Sequence, residues 1–128
     1  MQTEPTDSAA PAARTKVVYH VNDMAVVRAT LRYLENHLNA DPTVDIVVVS
    51  HGKGIDFLLN GAADGQGAFG PEVTRLAARG VAFKVCNNTL KGNDLTPADV
   101  CAAAEVVPAG VAEIARLQAR EGYVYIKP

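Results

Sequence analysis

The sequence predicts one α/β domain, a three-layer α/β/α sandwich around a mainly parallel five-stranded sheet. Three observations carry this expectation. Short strand-like apolar runs alternate with segments of helical period along the chain. The run Asp45 to Ser50 is apolar with almost no alternation, as a strand covered on both faces must be. The chain has 128 residues, 48% of them hydrophobic and 20% charged, enough for one core and far from the composition of disorder.

Lys16 to Val21 is β-branched and aromatic and ends at the turn-prone pair Asn22-Asp23, which makes it the first strand. Asp23 is placed to cap a helix whose apolar residues Met24, Val27, Leu31, Leu34 and Leu38 step by three and four, and Asp41-Pro42 stops it. The strand Asp45 to Ser50 leads into the glycine-containing turn Ser50 to Gly54 and a short helix over Ile55 to Asn60. Gly61, Gly65, Gly67 and Gly70 mark a flexible loop, and Pro71 opens a helix carrying Val73, Leu76 and Ala77 that ends at Gly80. Val81 to Cys86 is the third strand. Thr96-Pro97-Ala98-Asp99 has the order of a capped helix start, and a helix is expected through Cys101 to about Ala104. A short strand at Glu105 to Val107, a turn at Pro108 to Gly110, a helix with Val111, Ile114, Ala115 and Leu117 inward, and a strand at Tyr123 to Ile126 complete the pattern. Parallel neighbours need crossovers, which these helices supply, so the architecture expected is flavodoxin-like.

Residues 1–15, rich in Ala, Pro, Thr and Asp, read as a disordered N-terminal tail before a domain at 16–128, and they lack the basic and apolar regions of a signal peptide. A formal charge of −2 with 12 basic residues spread along the chain disfavours nucleic acid and anionic membrane surfaces as partners. No run approaches the length of a membrane span. The two cysteines, Cys86 and Cys101, form no C-x-x-C pair, and a cytoplasmic location would keep both reduced.

Carboxyl ends of parallel strands share one edge of a sheet, where ligands bind in open α/β folds. His20, His51 and Cys86 end the first three strands and collect at that edge. The amides of Asn87, Asn88 and Thr89, at the start of a helical turn, would favour a thiolate at Cys86; equally, Cys86 reads as a small buried hydrophobe that closes a strand. His51-Gly52-Lys53-Gly54 could offer amides and a lysine to an anion, but without phosphate-loop spacing, and it reads as well as a tight turn. His51 could serve Cys86 as acid or base, or the two could hold a metal with His20 or Asp23, although no local ligand spacing supports a metal. His37 is expected on the solvated surface, Cys101 in packing, Asp23 and Asp99 in caps, and Glu113 and Glu121 as solvated helix charges. There is no G-x-S-x-G elbow and no G-x-G-x-x-G fingerprint.

Three segments, Val47 to Gly52, Phe83 to Leu90, and Val106 to Gly110 together with Tyr123 to Pro128, resemble the DsrE-like (DsrE/DsrF-like) proteins of sulfur metabolism, in their small stand-alone branch. The likeness spans residues 16–128. It implies the flavodoxin-like sandwich, homo-oligomers that are often trimers or hexamers, no cofactor, and in some members the passage of sulfane sulfur as a cysteine persulfide. Cys86 matches the position of such a cysteine. The resemblance leaves open whether the chain is an enzyme of sulfurtransferase type. It implies a cytoplasmic sulfur carrier with donor and acceptor proteins as partners, Cys86 as nucleophile, His51 stabilising charge, and His20, Gly52, Lys53, Asn87 and Asn88 around them. The competing expectation is a non-enzymatic oligomeric module that binds a small anion or nucleotide at the same edge.

Overall fold

A computed structural model describes residues 13–128. Five strands, β1 (Lys16–Val21), β2 (Asp45–Ser50), β3 (Ala82–Cys86), β4 (Ala104–Val107) and β5 (Val124–Ile126), form one wholly parallel sheet in the order β4-β3-β2-β1-β5. The expected tail lies outside the described residues as far as Ala12. Beyond it, Arg14 pairs with Asp45 at 2.9 Å and the Thr15 carbonyl accepts from the Asp45 amide, so the entry to β1 is held against β2.

The chain steps across the sheet one strand at a time from β1 to β4, then returns over the whole sheet to place β5 beside β1. With right-handed crossovers, the first three connections fall on one face and the last on the other. Packing follows that rule. On one face, helix α1 (Val27–Ala40), α2 (Gly70–Ala78) and α3 (Asn87–Gly92), with the 3-10 segment Gly52–Leu58, set Leu31, Leu34, Phe57, Leu58, Phe69, Leu76 and Leu90 against Val17, Tyr19, Ile46, Val48, Phe83 and Val85. On the other face α4 (Gly110–Glu121) packs, the one helix there among the described residues, through Ile114 and Leu117 against Val18, Val47 and Val49. β2 is buried along almost its full length, as its unbroken apolar run requires. The 3-10 segment fits because Gly54 has no side chain: a Cβ there would stand 2.3 Å from the Val21 carbonyl oxygen. No helix among the described residues is long and apolar enough to cross a membrane.

Several elements differ from expectation, each for a tertiary reason. The capping box of Thr96 and Asp99 forms, yet it opens only the 3-10 turn Pro97–Asp99. Val100 then bridges to Leu59 and the Cys101 amide donates to the Leu58 carbonyl at 2.8 Å, so this stretch is extended and Cys101 lies in no helix. The glycine-punctuated loop is an ordered antiparallel turn, Ala63–Asp64 against Gly67–Ala68. Arg28 holds it with bonds of 2.9 and 2.6 Å to the Asp64 carboxylate and 2.8 Å to the Gly67 carbonyl, stacked over Phe69 at 4.2 Å. His37 is half-buried, not solvated, with Nδ1 2.7 Å from the hydroxyl of buried Tyr19. Glu113 is likewise not a free surface charge. Its carboxylate lies between Lys84 of β3, at 2.6 Å, and Arg116, at 2.8 Å. Arg116 and then Lys84 outweigh the burial and hold it at about 2.

Candidate functional site

Strand order decides what meets at the carboxyl edge. β3 sends its connection to one face of the sheet and β4 sends its own to the other, so a crevice opens between their ends. Cys86 ends β3, paired in register with Val107 of β4, and Gly110 begins α4 three residues further on. Side chains alternate along a strand, so Cys86 faces the α4 side while Val85 enters the larger core.

Donors reach the Cys86 sulfur from both helix starts. Burial pushes the thiol up, but the Gly110 amide, the Thr89 hydroxyl and amide, and the Asn88 amide more than offset it and hold Cys86 below the ordinary cysteine range. The Thr89 hydroxyl is oriented for this. Its oxygen accepts from the Gly52 amide at 3.0 Å, which leaves its proton to donate to sulfur. Gly52 turns that amide inward with φ of +56°, a conformation natural to glycine.

His51 borders the same spot. A Cβ on Gly110 would lie 3.3 Å from Cys86 Cβ, from His51 Cβ and from a Val49 methyl, so the bare glycine is the wedge between thiol and imidazole. His51 Nε2 is 2.6 Å from His20 Nε2 with the rings stacked at 4.7 Å, and His20 Nδ1 is 2.5 Å from the Tyr125 hydroxyl. Burial, then the charges of His51 and Lys127, lower the pKa of His20 and disfavour its imidazolium.

Of the residues the sequence singles out, the fold brings Cys86, His51, His20, Gly52 and Asn88 into one cluster. Lys53 is exposed. Asn87 opens α3 without being among the donors to sulfur. Asp23 caps the turn before α1, accepting from the Ala25 amide at 2.9 Å. Among the described residues no three His, Cys, Asp or Glu side chains group to hold a metal. The Thr89 amide was expected beside Cys86 and is there; the Thr89 hydroxyl, Gly110 and Tyr125 are what sequence reasoning missed. Thr89 had a signal, since a hydroxyl three residues after a strand-ending cysteine falls in the first turn of the next helix; Gly110 and Tyr125 depend on strand order. A separate shallow cavity of about 440 Å³ lies on the outer side of α4, lined by Ala112, Ala115, Arg116, Ala119 and Arg120.

The molecule has clear relatives. A model of the DsrE/DsrF-like family matches residues 8–128. The structure of MTH1491, a protein of unknown function from Methanobacterium thermoautotrophicum, is similar with a TM-score of 0.80 at 28% identity, over 89% of this chain and 99% of that one. The crystal structure of the ychN protein from E. coli gives a TM-score of 0.73 at 14% identity, over 91% of this chain and 100% of that one, a likeness of fold. No curated protein matches.

Proposed function

This chain belongs to the DsrE/DsrF-like family, and we propose that within it the protein is a sulfur carrier that holds sulfane sulfur as a persulfide on Cys86. The observation that carries this reading is the convergence of three backbone amides and a hydroxyl on one sulfur, which favours thiolate over thiol. In the loading step the Cys86 thiolate attacks the terminal sulfur of a donor persulfide or polysulfide. The new bond forms to Cys86 Sγ, the donor's S–S bond breaks, and its electron pair leaves on the donor thiolate. In the unloading step an acceptor thiolate attacks the outer sulfur and the electron pair returns to Sγ, where the same donors stabilise it. Oxidation states are exchanged with no net redox change. His51 stands beside the persulfide and stabilises its charge.

Cys101 takes no part. It packs against the larger core, beyond the sheet from Cys86, so carriage depends on one thiol and an external acceptor. Cys86 is 6% exposed and more buried than Cys101. Its reactivity therefore rests on ionisation, and its substrates are slender: polysulfide, small persulfides or a thiol on an extended segment of a partner protein. A reducing cytoplasm suits this chemistry. A homo-oligomer of three or six subunits is part of the proposal, supported by Val111 and Val124, apolar side chains left 64 and 54% exposed on α4 and β5.

Intact-protein mass spectrometry after exposure to polysulfide tests the reading, with wild type, Cys86→Ser and Cys101→Ser compared. Expected is one added sulfur in wild type and Cys101→Ser, none in Cys86→Ser, and its loss to a second thiol. No adduct in wild type sinks the carrier and leaves the small-anion or nucleotide module.

A further inference from the structure

The amide cradle favours the Cys86 thiolate, and the loading step makes no use of the hydrogen bonds that the two nearby histidines form. Their bonds form a continuous line from Tyr125 Oη through His20 Nδ1, His20 Nε2 and His51 Nε2, with His51 Nδ1 as the one ring nitrogen not spoken for in it. One end, Tyr125, is 41% exposed; the other, His51, flanks Cys86 across Gly110. Resting on the carrier reading, we infer that Tyr125, His20 and His51 form a proton relay that deprotonates an incoming acceptor thiol at His51 and releases the proton to solvent at Tyr125.

Two tautomeric arrangements satisfy both hydrogen bonds of the line. In the first, His51 Nε2–H donates to His20 Nε2, His20 Nδ1–H donates to the Tyr125 oxygen, and His51 Nδ1 offers a lone pair. In the second, the Tyr125 hydroxyl donates to His20 Nδ1, His20 Nε2–H donates to His51 Nε2, and His51 Nδ1 carries a proton. Passage from the first to the second takes one proton in at His51 Nδ1. One proton moves across each of the two bonds, and the original phenolic proton leaves to water. No imidazolium remains beside Lys127, whose charge disfavours one. Transfer then balances: the acceptor R–SH gives its proton to His51, its sulfur bonds to the outer sulfur of the persulfide, the bond to Cys86 Sγ breaks, and the electron pair settles on Sγ in the cradle. The relay resets when water returns a proton at Tyr125 and His51 Nδ1 gives one up. Tyr125 and His20 are positioning residues in this scheme, since they act through His51.

The inference separates acceptors that must lose a proton from those that need not. At about pH 8 sulfite is largely its dianion, whereas most of a glutathione pool is still the thiol. Full-length protein charged with polysulfide is mixed with each acceptor, and the loss of the added sulfur is followed by mass spectrometry in wild type, Tyr125→Phe and His20→Phe. Both variants are expected to lower the ratio of glutathione to sulfite transfer rates by on the order of tenfold or more, the scale of general acid–base assistance. Wild-type transfer to glutathione, and not to sulfite, is expected to slow in deuterium oxide with a curved proton inventory, a readout that stands even if a variant misfolds. An unchanged ratio in either folded variant, or the same solvent isotope effect with both acceptors, overturns the relay while leaving the carrier intact. Failure of wild type to hold sulfur on Cys86 at all is a failure of the carrier and is seen before the acceptors are added.

Discussion

At the scale of single residues, the thiol site depends on donors that carry no sequence signature of their own. Three of the four groups aimed at Cys86 are backbone amides, and any residue supplies an amide. Cysteine at a strand end and the amides just after it were legible; the amide of Gly110 was not, because it arrives from 24 positions away. The side-chain donor offers the cleanest test. Thr89→Val removes the hydroxyl that bridges Gly52 and the sulfur at almost no change in shape. With one donor lost and burial unchanged, the midpoint of the pH profile for Cys86 alkylation rises in a Cys101→Ser background. The rate at pH 7 falls as the thiolate fraction falls. An unmoved midpoint would mean the hydroxyl does not bond to sulfur. His37 and Glu113 teach the converse. Both are drawn inward by a partner from another element that their own segments do not reveal, Tyr19 in one case and Lys84 in the other.

Among the described elements, α4 is the one helix on its face of the sheet. Ile114 and Leu117 supply its apolar contact, and the Lys84–Glu113–Arg116 group ties it to β3 where side chains are 14 and 11% exposed at Lys84 and Glu113. Removing the carboxylate leaves Lys84 shielded and unpaired. Glu113→Gln is therefore expected to lower the unfolding free energy at pH 7 by about 1–3 kcal/mol, between the values typical of exposed and fully buried pairs. The group sits at about 2 in the folded chain and near 4.3 when unfolded, so the unfolded state binds its proton more readily. Its stabilisation is complete above roughly pH 4.3 and is lost as the pH falls toward 2. Urea titrations of both proteins at pH 7 and near pH 2.5 check this, and a gap of equal size at both would assign the loss to packing. Helices and strands with a clear period were legible to within a residue or two. The helix expected through Cys101 was not, because a good start signal cannot reveal that Val100 is claimed by Leu59.

For the whole molecule, periodicity tells which face of a strand is buried but not which strand lies beside it, so the sheet order β4-β3-β2-β1-β5 was beyond reach of the sequence. That order is what joins Cys86 to Gly110 and His20 to Tyr125, which is why the sheet edge with Cys86, His20 and His51 could be anticipated and these two later partners could not. The exposed apolar residues of β5 and α4 belong to the same scale. Sedimentation of the wild type is expected to give three or six times the subunit mass, and Val124→Lys to shift it to smaller species; a monomeric wild type contradicts the proposed assembly. The returning crossover bears finally on how the chain is made. β1 is synthesised first among the strands but receives its second neighbour last, and the bond from His20 to Tyr125 closes a span of 105 residues. While the nascent chain grows, four strands can pair, yet one edge of β1 stays bare for the roughly one to three seconds needed to translate α4 and β5. In that interval β1 is an open template for a foreign strand, and β5 acts as the late-arriving cover that ends the hazard.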